Sequence, residues 1–116
     1  MTGGPESDDE LVELLRVLGH PVRLKLAFAV GAGELAVGQI ENATGVAQPL
    51  LSQQLAVLRK AGIVETRREA KQIFYRLKRE ALAPIRTLAD RFDDRSDAPP
   101  SGDGGASAAH FARILR

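Results

Sequence analysis

Gln48, Ser52 and Gln53 fall within two helical turns of one another in the run Gln48-Pro49-Leu50-Leu51-Ser52-Gln53-Gln54-Leu55. Amides and hydroxyls at that spacing can read base edges. A glutamine can bond adenine at N6 and N7 together, and a serine hydroxyl donates or accepts at any base. Arg59 and Lys60 follow on the same segment and suit phosphates better than bases. Farther on, Arg67, Arg68, Lys71 and Gln72 cluster with Arg76 in a stretch of alternating β-branched and aromatic residues. Lys71 and Gln72, near the tip of that stretch, are placed to reach phosphate or an adjacent minor groove. Tyr75 and one of the strand arginines are read instead as supports for the sheet.

The elements that must carry these groups follow from periodicity. Leu51, Leu55 and Leu58 recur at i, i+4 and i+7, so they share one face of a helix. Pro49, Ser52, Gln53, Ala56 and Lys60 then point away from the core, on a face narrow enough for a major groove. Leu50 sits on the flank, where it can meet thymine methyls or pack under a neighbouring helix, and Gln54 projects toward the core side as a structural residue. Gly62 stands where a left-handed helix cap belongs. Ala47-Gln48 offers no Ser or Thr as an N-cap, an omission worth roughly 1 kcal/mol, partly offset by Pro49 in the first turn.

Upstream, Ser7-Asp8-Asp9-Glu10 has the form of a capping box and predicts a first helix beginning there, with Leu11, Leu14, Leu15 and Leu18 as its stripe and Gly19 as its stop. Pro21 opens a second helix through Val22, Leu26, Ala29 and Val30, broken at Gly31-Ala32-Gly33. Val37, Ile40 and Ala43 mark a short third helix ended by Gly45. After Gly62 the period turns toward two. Ile63–Arg68 and Ile73–Leu77 predict a β-hairpin, and because Glu69-Ala70-Lys71-Gln72 contains neither Gly nor Asn, a loop longer than two residues is expected. A last long helix carries Leu82, Ile85, Leu88, Ala89 and Phe92. Residues 96–105 are rich in Pro, Gly, Ser and Asp, a disorder-prone composition. Ala108–Leu115 has a weak amphipathic pattern compatible with a short helix or with none.

Charge is distributed unevenly along the 116 residues, although the net charge is only +1. Residues 1–47 hold three Lys/Arg against seven Asp/Glu, residues 48–79 eight against two, and residues 80–116 five against six. The central segment is thus strongly basic, as a phosphate-facing surface requires. The absence of cysteine excludes disulfides and thiolate chemistry. With two isolated histidines, His20 and His110, no Gly-rich phosphate loop after a strand and a modest core, nothing marks an enzyme. No catalytic residue, cofactor or metal site is expected. His20, before a proline at a helix junction, reads as a capping or core-edge residue. The absence of a basic-plus-apolar leader or a long apolar run places the chain in the cytoplasm.

Taken together, Gly19-His20-Pro21-Val22-Arg23, Gly33-Glu34-Leu35-Ala36-Val37-Gly38-Gln39-Ile40, Ser52-Gln53-Gln54-Leu55 and Leu58-Arg59-Lys60-Ala61-Gly62-Ile63-Val64 resemble the ArsR/SmtB family of bacterial repressors. The hairpin from Arg67 to Leu77 is similar to the BigR-type, sulfide-responsive branch. The resemblance spans about residues 8 to 95. It implies a mainly α winged helix-turn-helix, α1-α2-α3-α4-β-β-α5, flanked by flexible residues 1–7 and 96–116. It further implies a homodimer through the first and last helices, a palindromic double-stranded DNA operator, and repression relieved by an inducer. The stripes Leu11, Leu14, Leu15, Leu18 and Leu82, Ile85, Leu88, Phe92 are the expected dimer interface, for want of another large apolar partner in so small a chain.

The chain departs from the family at its inducer sites. Ala36-Val37-Gly38 stands where thiol-based sensors have Cys-x-Cys, the sulfide sensors' cysteine pair is missing, and the last helix offers Asp90, Asp93 and Asp94 without histidine. The inducer is therefore unassigned: a small organic molecule between the end helices, a protein, none, or, as the weakest alternative, a hard cation loosely held by the last-helix carboxylates. A winged-helix protein–protein module is the alternative reading, against which the central basic charge argues.

Overall fold

A computed structural model describes residues 5–93. Five α-helices and a three-stranded antiparallel sheet follow one another as α1 (Pro5–Leu18), α2 (Pro21–Ala32), β1 (Leu35–Ala36), α3 (Val37–Thr44), α4 (Leu50–Lys60), β2 (Val64–Glu69), β3 (Gln72–Leu77) and α5 (Ala83–Phe92). A short 3-10 turn, Arg79–Leu82, leads into α5. Ser96–Gly105, Ala108–Leu115, His110 and Asp94 lie outside the described residues.

The core gathers the apolar faces of α2, α3 and α4 with the start of β2: Leu26, Val30, Ile40, Leu51, Leu55, Leu58, Ile63 and Val64, joined by Val17 of α1 and Val46 of the α3–α4 turn. Full burial of a leucine-sized side chain contributes about 1.5–3 kcal/mol relative to exposure. Leu51, Leu55 and Leu58, three of the four leucines of α4, are therefore what seats that helix.

Helix ends are set by identifiable bonds. His20 is the N-cap of α2, its Nδ1 accepting from the Val22 N–H at 3.2 Å, which is a capping role. Gly45, at φ 75°, closes α3 and donates to the Glu41 carbonyl. At the end of α4, Gly62 adopts φ 79° and donates to Arg59 O, while Ile63 N donates to Leu58 O, both at 3.0 Å. That is the Schellman pattern, and the accompanying contact joins Leu58 and Ile63, both buried.

Four expectations need correction. Helix α1 begins at Pro5, two residues before Ser7, so Ser7 lies inside the helix and cannot be its N-cap. Helix α2 continues through Gly31 to Ala32, so Gly31 is a helical residue rather than a break; a Cβ there would make ordinary contact with a Leu77 methyl at 3.4 Å. The sheet has a third strand, because Leu35 and Ala36 pair with Tyr75 and Phe74 of β3. Finally, Glu69 pairs with Gln72, which leaves a two-residue turn of Ala70 and Lys71. Ala70 takes φ 57°, a left-handed conformation costing a non-glycine residue about 1–2 kcal/mol. Six consecutive β2–β3 residue pairs offset that cost.

Candidate nucleic-acid interface

With Leu51, Leu55 and Leu58 buried, α4 turns Ser52, Gln53, Ala56, Arg59 and Lys60 to solvent. The helix start is held by a bond that sequence reasoning missed: Gln48 Oε1 accepts from the Ser52 N–H at 3.0 Å. Gln48 therefore does the work of the absent Ser or Thr cap. Its Nε2 has no protein partner among the described residues. On the flank toward α2, half-buried Gln54 accepts from Arg23 Nε at 2.8 Å, and Arg23 also donates to the Val17 carbonyl. This bridge fixes α4 against the first two helices.

Period two divides the hairpin. Glu65, Arg67 and Glu69 share one face of β2, and Thr66 and Arg68 the other, opposite Tyr75 and Ile73 of β3. Arg67, placed by its sequence among the DNA contacts, is engaged elsewhere. Its Nε and Nη2 donate to both oxygens of Glu34 at 2.8 and 2.9 Å, its Nη1 donates to Glu69 at 2.6 Å, and its guanidinium lies 4.9 Å from the Phe74 ring centroid. The bidentate bond to Arg67 holds the Glu34 carboxyl below the ordinary glutamate range and raises the Arg67 guanidinium. Arg76 likewise donates to Glu65 at 2.7 Å. By contrast Arg59, Lys60, Arg68 and Lys71 have no ion-pair partner among the described residues. Arg68, Lys71 and Gln72 are exposed.

The end helices pack on each other within one chain, linked by Arg91 donating to Asp8 at 3.3 Å. Leu11 is buried there, and Leu14, Leu18 and Leu82 lie against the core of their own chain. Ile85 and Leu88 are half-buried. What remains outside is Leu15, Phe92 at 78% exposure, and Val12 at 60%, the last unforeseen. No three His, Cys, Asp or Glu side chains converge among the described residues, and no described helix is long and apolar enough to cross a membrane.

Residues 20–66, from the cap of α2 into the first wing strand, match the family described as bacterial regulatory protein, arsR family. The biofilm growth-associated repressor of Agrobacterium fabrum is 57% identical over 76 residues, covering 66% of this chain and 65% of that protein. The chain belongs to the ArsR family. In Xylella fastidiosa the repressor of the same name is 53% identical over 77 residues, 66% of this chain and 68% of that protein. The crystal structure of the transcriptional repressor BigR from Xylella fastidiosa superposes with a TM-score of 0.63 at 49% identity, covering 75% of this chain and 90% of that one. This ArsR-family chain spans about two thirds of the length of the curated relatives it matches. Its winged helix-turn-helix is that of a DNA-binding transcriptional regulator, and the family and these relatives are regulators of transcription rather than enzymes.

Proposed function

We propose that the protein is a dimeric transcriptional repressor that sets α4 into successive major grooves of a palindromic operator and lays the β2–β3 wing along the flanking backbone. The observation that carries this reading is the separation of charge at the surface. The cations on α4 and on the Arg68 side of the wing are free of carboxylates, while Arg67 and Arg76, on the other side, are neutralised by Glu34, Glu69 and Glu65. A surface serving only protein contact would not need that sorting.

In this reading Gln53 reads a base, Ser52 and Gln48 support the reading end of α4, and Arg59, Lys60, Arg68, Lys71 and Gln72 meet the sugar-phosphate backbone. Val12, Leu15 and Phe92 join the two copies, with Leu88 and Ile85 beneath them. The relieving signal is not a thiol reaction, because the chain has no cysteine.

The test uses a duplex selected by this protein from a random pool. Gln53→Ala should weaken binding to that duplex by about 1–3 kcal/mol and to random DNA much less. Lys71→Ala should weaken both alike and lower the slope of log affinity against log salt by about 1 per lost contact. Selection yielding no enriched sequence, or an unchanged operator-to-random ratio for Gln53→Ala, would overturn base reading by α4.

A further inference from the structure

Between α4 and the wing lies an open hollow of about 350 Å³ lined by Ser52, Ala56, Arg59, Lys60 and Tyr75. Four of these residues come from one flank of α4, at i, i+4, i+7 and i+8, and Tyr75 comes from the middle strand of the sheet. Tyr75 is held on both sides, opposite Leu35 of β1 and Thr66 of β2, and its ring packs against the core. Its hydroxyl has no protein hydrogen-bond partner among the described residues, yet it is not a buried, unpartnered polar atom. The phenol therefore ends in solvent.

The chemistry of the hollow points to an anion. Two hydroxyls and two cations line it, no carboxylate does, and neither Arg59 nor Lys60 is neutralised by an acidic group among the described residues. Ala56 presents only a methyl, which keeps the space between Ser52 and Arg59 open. Arg68 projects from the same sheet face as Tyr75. Resting on the DNA-binding reading above, we infer that this hollow is a seat for one phosphodiester of the operator backbone. The Tyr75 and Ser52 hydroxyls donate to its oxygens, while Arg59 and Lys60 supply charge. Tyr75 is thus a positioning residue, setting the angle at which α4 enters the groove, and Ser52 belongs to the backbone rather than to the bases.

Tyr75→Phe keeps the ring and removes only the donor, so thermal unfolding should be unchanged. Affinity should fall by about tenfold per half-site, as for loss of a hydrogen bond to a charged group. The fall should be equal on the selected duplex and on random DNA, with the salt slope unaltered, because no cation is lost. Replacing single phosphates of the selected duplex by methylphosphonates should reveal one position per half-site where wild type loses affinity and Tyr75→Phe loses little more. Ser52→Ala should share that position. Wild-type affinity in both hydroxyl variants, loss confined to the selected duplex, or full additivity at every phosphate would overturn the seat. So would competition by millimolar inorganic phosphate at matched ionic strength, which would mark a free-anion site. Failure of the wild-type protein to bind any duplex would instead overturn the DNA-binding reading itself.

Discussion

Replacing Gln48 by glutamate sets the stability of α4 against its use. The side-chain oxygen of Gln48 accepts from the Ser52 N–H at the exposed start of the helix, and a carboxylate can accept the same bond. Gln48→Ala removes it. The loss of an N-terminal cap costs about 0.5–1 kcal/mol at an exposed position. For a domain the size of residues 5–93, this lowers Tm by roughly 2–8 °C. Gln48→Glu keeps the acceptor and adds negative charge to the positive end of the helix dipole, a gain of about 0.3–1 kcal/mol, so its Tm should equal or exceed that of wild type. On DNA the order reverses. A carboxylate about 4 Å from a phosphate in water is repelled by about 1 kcal/mol, which is about fivefold per half-site and roughly thirtyfold for a dimer. Melting curves followed by circular dichroism give the first ranking, and fluorescence anisotropy with the selected duplex gives the second. The affinity gap between glutamate and wild type should narrow as salt screens the repulsion. A glutamate variant as unstable as the alanine variant would refute the cap, and one that binds DNA like wild type would show that this end of α4 does not face the duplex.

Two further outcomes follow from geometry. Phe92→Asp alters a side chain that is 78% exposed, so analytical ultracentrifugation should show a folded monomer, whereas Leu88→Asp, half-buried between α5 and α1, should also lower Tm; a dimeric Phe92→Asp protein would remove that face from the interface. The depressed Glu34 carboxyl gives a pH signature: its pKa lies below the ordinary 4.5, so its pairing with Arg67 stabilises the fold above that value and is lost as pH falls through the folded-state pKa. The Tm difference between wild type and Glu34→Gln should therefore be constant near neutrality and vanish as Glu34 is protonated on acidification, and a difference that persists once NMR shows the Glu34 carboxyl protonated would mean that its charge is not what holds the wing.

Local regularities were legible in the chain, and contacts between distant residues were not. Leu51, Leu55 and Leu58 announce the buried face of α4 because their spacing matches one turn of helix after another, and Gly62 announces its end because few other residues accept its backbone conformation. Strand β1 is two residues long and has no period to detect. The tight turn at Ala70 was hidden because its residues do not favour it; the ladder around it imposes it. Gln48 escaped notice as a cap since its side chain reaches a full turn forward to Ser52 instead of the nearer N–H groups that Ser, Thr, Asp and Asn serve. Arg67 reads as one more cation until Glu34, 33 residues away, is placed beside it. Val12 looks peripheral to the leucine stripe of α1, and only the packing of α1 on α5 turns Leu11 inward and Val12 out.

The bonds that tie the wing down bear on how two copies would measure DNA. Leu35 and Ala36 pair with β3, Arg67 grips Glu34, Arg79 donates to the Gly31 carbonyl at 2.9 Å, and Lys78 N donates to Ile63 O. These contacts join helix-turn-helix and wing into one reading head. In the proposed dimer, two such heads on a common base would act as a caliper whose jaws meet the duplex one helical turn apart, about 34–36 Å. A signal at the end helices of that dimer would then need only to change the gap between the jaws to lose the grip, without disturbing a residue placed against DNA.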